Sequence, residues 1–205
     1  MRVRRVGLHA LLAEVPDAES AAAVYAQARW RRMDALEVVP AARSVLFDGV
    51  ADPAALAAEL ESWSPGTPAN GDATSRGPEH DLVEVSTVYD GSDLAEVARR
   101  WGMTRSEAVA THAGTDFQVA FCGFAPGFAY CVGLPPALHL PRLDTPRPWV
   151  PAGSVGLAGE FTGVYPSESP GGWRLIGRTE LRLWDAEASP PALLPPGTRV
   201  RFVPA

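Results

Sequence analysis

The stretch from Phe121 to Gly177 limits the possible folds more than any other part of the chain. It holds nine prolines and ten glycines, 19 of the 39 in the whole sequence. It ends in "YPSESPGGWRLIGRT", Tyr165 to Thr179, which turns directly from rigid corners into an apolar, strand-like run. Proline fixes φ, and glycine permits positive φ or close approach of a partner. The same stretch carries Phe121, Phe124, Phe128, Tyr130, Trp149, Phe161, Tyr165 and Trp173. A disordered Pro/Gly linker is poor in aromatics. Aromatics set among fixed corners suggest a β-barrel with many tight turns, or beyond that a preorganised pocket or interface.

Composition bounds the rest. A length of 205 residues suits one large or two small domains, and 46% hydrophobic residues support a real core. A net charge of −6 argues against a nucleic-acid surface. No apolar run approaches a membrane span. The basic start "MRVRRVGLHALLAEV" is interrupted by His9 and Glu14 and has no clear cleavage site, so it reads as strands, and the expectation is a cytoplasmic protein. Cys122 and Cys131 are expected to be free thiols, and no metal-ligand motif is present. The chain has no lysine; all 18 basic side chains are arginine. It therefore has no phosphate-loop lysine and no Schiff-base lysine, and any cationic role falls to Arg.

Periodicity divides the chain into a small α+β domain (1–63), a flexible linker (64–81) and a β-barrel domain opening with a helix pair (82–205). "VRRVG", "HALLAEV", "LEVVP" and "RSVLFDGV" read as strands. Helices are expected from Asp17 and from Asp52, with Pro53 at the first position of the second. "SPGTPANGDATSRGPEHD" has no large apolar residue and reads as loop. "LVEVSTVY" is a strand. "SDLAEVARRWG" and "TRSEAVATHAG" are helices, the latter with Thr104 and Glu107 as a capping box. "DFQVAFCGF", "SVGLAGEFTGVY", "WRLIGR", "ELRLWD" and "TRVRFVP" are β-type runs.

Several constellations bear on chemistry. The helix pair has helix-turn-helix spacing, but its second helix offers only Thr104, Arg105 and Ser106 before turning apolar, so it reads as packing rather than DNA recognition. His112 ends that helix, either as a dipole-favoured histidine or as a polar group at the barrel mouth. Arg142 and Arg147 each follow a proline in "PRLDTPRPWVPAGS" and could clamp an anion, or form a surface pair bridged by Asp144. Pro151 to Ser154 could offer a backbone anion nest. Phe121 to Trp184 is about +1 within an acidic chain, which favours an anionic ligand. No Ser-His-Asp set can be assigned from spacing.

Three motifs, "GFAPGFAYCVGLP", "PRLDTPRPWVPAGSVGLAG" and "TGVYPSESPGGWRLIGRT", closely resemble the family that contains the B-type component of 5-oxoprolinase, the allophanate hydrolase subunit 1 domain and the sporulation kinase inhibitor KipI. The resemblance implies an N-terminal α+β domain followed by a mainly-β, cyclophilin-like barrel. It implies an ATP-dependent opening of 5-oxo-L-proline to L-glutamate with homologous C-type and separate A-type subunits, the chain being inactive alone. ATP with Mg would act in the assembled complex, with no cofactor held tightly by this chain. A KipI-like regulator of a histidine kinase and an allophanate or urea amide-processing subunit are the alternatives. Carried over, His112, Arg142 and Arg147 would serve catalysis. Phe124, Pro126, Gly127, Tyr130, Gly153, Ser154, Thr162, Tyr165, Ser169, Gly171 and Gly172 would line the substrate site. The chain departs from the family at "DGSDL" (Asp90–Leu94), at Phe161 in place of Gln and at Glu180 in place of Pro.

Overall fold

The computed structural model describes residues 1–63 and 82–205. The chain divides into two compact units, Met1–Glu79 and His80–Ala205. The linker expected over residues 64–81 lies outside the described residues.

The first unit carries β1 (Arg2–Arg5), β2 (Ala10–Glu14), α1 (Ala18–Arg31), β3 (Glu37–Pro40), β4 (Ser44–Asp48) and α2 (Pro53–Glu61). The strands form one antiparallel sheet in the order β1-β2-β4-β3. Asp17 caps α1 by accepting from Ser20 N at 2.8 Å, and Asp52 caps α2 by accepting from Ala54 N and Ala55 N at 3.0 Å. Leu11 and Ala13 of β2 and Val45 and Phe47 of β4 meet Ala21, Val24 and Ala28 of α1 and Leu56 and Leu60 of α2. The alanines let α1 lie close to the sheet.

The second unit carries β5 (Leu82–Thr87), α3 (Leu94–Trp101), α4 (Arg105–Ala113), β6 (Phe117–Cys122), β7 (Ala129–Val132), β8 (Arg147–Val150), β9 (Ser154–Ala158), β10 (Phe161–Val164), β11 (Ser169–Gly171), β12 (Arg174–Arg178) and β13 (Arg199–Pro204). Seven strands run in the order β12-β9-β10-β7-β6-β13-β5. Beyond β5, Val88 and Arg178 exchange both backbone hydrogen bonds at 2.9 Å. That bridge brings the first and last strands together, so the mainly-β sheet is nearly a closed barrel. Its interior holds Val85, Phe117, Val119, Leu157, Ile176, Val200 and Phe202, covered by Leu94 and Val97 of α3. The capping box is present: Thr104 Oγ1 accepts from Glu107 N at 3.2 Å, and Glu107 Oε2 accepts from Thr104 N at 2.7 Å. The helices pack on β12 and β13, which is the packing role their sequence indicated.

The structure corrects the sequence reading in two places. "ELRLWD" is not a strand; only Trp184 makes an isolated bridge, to Ala192. Its backbone instead bonds across a loop, Leu193 N to Leu183 O at 3.0 Å and Asp185 N to Pro191 O at 2.9 Å. The four prolines at 190, 191, 195 and 196 remove the donors a ladder would need. Conversely, the segment around Arg147, where no strand was expected, contains β8, which pairs with β11 in a separate two-stranded sheet. Pro148 and Pro170 are tolerated because so short a ribbon leaves them free of ladder bonds. β7 pairs with both β6 and β10.

Candidate functional site

Seven of the eight aromatic residues of the Pro/Gly-rich stretch, all but Trp149, gather into one cluster. Phe128, Val150, Ala158, Tyr165, Trp173 and Leu175 are buried together, with Tyr130 and Phe161 packed against them. The Phe128 ring meets Tyr165 and Trp173 edge-on at 5.4 and 5.2 Å. Tyr130 stacks on Phe121 at 4.2 Å. At the tip of the β6–β7 hairpin, Ala125 N bonds Gly123 O at 2.9 Å across Phe124, whose φ is +71°. This is a γ-turn with positive φ at a bulky residue, a strained arrangement. It leaves Phe124 63% exposed while its ring still touches Phe128 at 5.3 Å and Tyr165 at 6.4 Å edge-on. Pro126 is exposed at the same turn. Gly127 (φ +83°) is buried where a Cβ would meet Trp184 Cβ at 2.9 Å.

The β8–β11 ribbon lies over this cluster through Val150, and Arg147 fastens it. Arg147 Nη2 donates to Asp93 Oδ1 and Oδ2 at 2.6 and 2.8 Å, and Nη1 donates to Trp173 O at 3.2 Å. Asp93 Oδ2 also accepts from Leu175 N at 2.6 Å. The two carried-over arginines therefore do not act as a pair, and Asp144 does not bridge them. Arg147 is committed to a carboxylate from the start of α3. Sequence reasoning missed Asp93, although it sits inside "DGSDL", a segment where the chain departs from the family pattern.

Arg142 is different. It is exposed and carries no ion pair or hydrogen bond among the described residues. The other four arginines from Phe121 to Trp184 are all paired: Arg147 with Asp93, Arg174 with Glu96, Arg178 with Asp90 and Arg182 with Asp185. Backbone bonds hold Arg142 on both sides. Pro141 O accepts from Arg174 Nε at 3.0 Å, and Leu143 N donates to Gly172 O at 2.7 Å. Burial raises the phenols of Tyr130 and Tyr165, and the Arg142 guanidinium opposes that rise at both. Ser169 Oγ, on β11, is buried with no partner among the described residues. Arg174 Nη1 is 3.0 Å from Glu96 Oε1 yet makes no directed hydrogen bond, so that contact is Coulombic. Gly171 must lack a side chain because a Cβ there would run into the Tyr165 hydroxyl; Gly172 is buried beside Pro146.

His112 does not stand at a barrel mouth. It is fully buried, with Phe117 and Phe202 against its ring at 5.0 and 4.7 Å. Nδ1 lies 2.8 Å from Tyr89 Oη, and Nε2 lies 3.1 Å from Thr162 Oγ1. Thr162 Oγ1 spends its proton on Gly156 O at 3.1 Å, so it accepts from Nε2–H, and Nδ1 accepts from the Tyr89 hydroxyl. Burial pushes the imidazole down to about 3, so it is neutral. The chain of bonds ends on a backbone carbonyl and delivers no proton elsewhere.

The turn at Pro151 to Ser154 does not form an anion nest at its last two residues. Gly153 N donates to Tyr165 O at 2.7 Å and Ser154 N to Pro151 O at 3.3 Å, so both N–H groups are spent internally. Burial raises the Cys122 and Cys131 thiols to about 11 and about 12, which leaves both protonated and poor nucleophiles at neutral pH. The structure thus groups Phe124, Tyr130, Arg142, Tyr165, Ser169, Gly171 and Gly172 around the aromatic cluster, with Phe124 and Arg142 exposed. It places His112, Thr162, Gly153 and Ser154 in internal bonding and Arg147 in a latch.

Known proteins are similar to this chain in sequence and in fold. The B component of 5-oxoprolinase from Escherichia coli O157:H7 is 49% identical over 130 residues, 62% of this chain and 60% of its own length. The B component from Bacillus subtilis (strain 168) is 44% identical over 60% of this chain and 52% of its own length. The chain thus spans less than two thirds of either relative. Among solved structures, TTHA0988 matches 97% of this chain and 40% of its own with a TM-score of 0.74 at 33% identity. A conserved uncharacterized protein, PH0987 from Pyrococcus horikoshii, matches 100% of this chain and 97% of its own with a TM-score of 0.58 at 30% identity. The family model for the carboxyltransferase domain, subdomain C and D, matches residues 1–194, both units together, and the chain belongs to that family.

Proposed function

We propose that this chain is the B component of an ATP-dependent 5-oxoprolinase, opening 5-oxo-L-proline to L-glutamate in a complex with C-type and A-type subunits. The observation that carries this reading is the 44–49% identity to curated 5-oxoprolinase B components over 60–62% of the chain. The site geometry agrees with an incomplete enzyme. A lactam carbonyl is unreactive, and its opening calls for a donor-activated acyl group and oxyanion stabilisation. This chain offers one open face with a free guanidinium. Its thiols are protonated and its buried imidazole is inaccessible, so the remaining groups would come from partners. Phe124 and Trp149, 63% and 55% exposed, supply apolar surface for such contacts. With no lysine and no phosphate loop in the chain, ATP and its Mg are assigned to the assembled complex. In this reading the two units are the α+β domain and the cyclophilin-like barrel, and the compartment is the cytoplasm.

The test is reconstitution. The chain, mixed with C-type and A-type partners, is expected to support ATP hydrolysis that requires 5-oxo-L-proline and stops when the chain is left out. A stable partner complex with no such turnover, or a chain that binds a histidine kinase and no C-type partner, overturns the reading.

A further inference from the structure

Four of the five arginines between Phe121 and Trp184 are neutralised by carboxylates, and Arg142 has no such partner among the described residues. An unpaired exposed arginine is ordinary on a surface. This one is not on a free-swinging loop, because its neighbours Pro141 and Leu143 are bonded to Arg174 and Gly172. Gly172 follows Gly171, whose missing side chain admits the Tyr165 hydroxyl. Two residues before Gly171 is Ser169, whose hydroxyl is buried without a partner. A buried hydroxyl that lacks a hydrogen bond costs stability, and sites that bind ligands are one place where such groups persist. Tyr165 also touches the strained, exposed Phe124 ring. A cation on an anchored backbone and an exposed aromatic ring thus flank one tyrosine, with an unsatisfied hydroxyl on β11, the strand whose Gly171 lies against that tyrosine.

We propose that Arg142, Ser169 and Phe124 form a half-site for a small carboxylate joined to a flat ring, the carboxylate on the Arg142 fork and the ring against Phe124. The ligand class follows from the groups. A planar guanidinium pairs best with a bidentate oxyanion, a serine hydroxyl can donate to it, and an aromatic face accepts a flat ring edge-on or offset. The identification of that carboxylate with the lactam acid rests on the proposed function. Arg147 takes no part in ligand contact; as a positioning residue it holds β8 over the cluster.

The experiment follows the guanidinium Nε–H signal of Arg142 by NMR while the chain is titrated with 5-oxo-L-proline, L-proline and 2-pyrrolidinone. The expected order is 5-oxo-L-proline first, L-proline weaker, and 2-pyrrolidinone, which has the ring without the carboxylate, without effect. Arg142→Gln is expected to weaken 5-oxo-L-proline binding at least tenfold, and Ser169→Ala and Phe124→Ala by about threefold to tenfold. Arg142→Lys, which keeps charge without the fork, should recover only part of the loss. Tryptophan fluorescence of each variant, read in the same titration, covers any whose NMR signal is lost. The half-site is overturned if the Arg142 signal ignores both carboxylates, or if Arg142→Gln binds 5-oxo-L-proline as tightly as the parent chain. Carboxylate binding at Arg142 without turnover in the reconstituted complex removes the 5-oxoprolinase reading and leaves the half-site standing. Turnover that Arg142→Gln leaves unchanged does the reverse.

Discussion

Two polar regions of the barrel unit hold the same kinds of groups in opposite states. Around His112 every bonding position is used: Tyr89 to Nδ1, Nε2 to Thr162 and Thr162 to Gly156 O. Around Arg142 the positions are open: among the described residues its guanidinium meets no carboxylate, and the Ser169 hydroxyl has no partner. A buried polar network that is fully satisfied fixes one packing of the core. A face with unspent donors over an aromatic cluster is poised for something not in the chain. Residue type alone therefore misleads: the histidine has the more familiar catalytic chemistry, yet the arginine has the accessible geometry.

The strongest change is expected in the sealed region, through pH. His112 falls from an ordinary 6.5 in the unfolded chain to about 3 when folded. The unfolded state therefore binds more protons, so the stabilisation is complete above about 6.5 and is lost as pH falls toward about 3. Each pH unit within that window should remove about 1.4 kcal/mol of unfolding free energy. Denaturant titrations from neutral pH down into the window measure this slope. A flat profile would mean that the imidazole is reachable by solvent and the contrast is wrong.

Next comes the latch. Asp93→Ala leaves Arg147 unpaired and strands the buried Leu175 N–H. Removing one partner of a buried pair costs about 3–5 kcal/mol, and Arg147 is partly exposed, so a loss of about 3 kcal/mol is expected. Thermal melting checks it, and a loss below about 1 kcal/mol would make the latch an incidental surface contact. Thr162→Val comes third. It removes the acceptor of His112 Nε2–H and should cost about 1–3 kcal/mol, read from denaturant midpoints. Arg142→Gln should stay within about 0.5 kcal/mol of the parent in stability, because no bond among the described residues depends on it.

Much of the fold was legible because local signals agreed with the structure. Asp17, Asp52 and the Thr104–Glu107 box mark helix starts by chemistry that acts within three residues. Alternation located β2, β4, β5 and β13. The failures came where partners are distant in sequence. Proline at 148 and 170 argued against β8 and β11, and only a separate ribbon makes them tolerable. Leu181 and Leu183 alternate like a strand, yet the prolines that follow deny them a ladder. For the candidate site, the motifs named residues but not their states. Nothing in "PRLDTPRPWV" tells that Arg147 reaches Asp93, 54 positions away, while Arg142 meets no described carboxylate. That distinction is a product of tertiary pairing, and one sequence cannot display it.

The contrast between the two arginines can be read in a single measurement: kcat/KM for 5-oxo-L-proline in the reconstituted complex. Arg142→Gln is set against Arg147→Lys, each value divided by its folded fraction. Arg142→Gln should fall about tenfold to hundredfold at unchanged melting temperature, which corresponds to about 1.4–2.8 kcal/mol of transition-state binding. Arg147→Lys should melt at a lower temperature and fall much less per folded molecule. Full activity in Arg142→Gln beside a folded but inactive Arg147→Lys would overturn this division of roles.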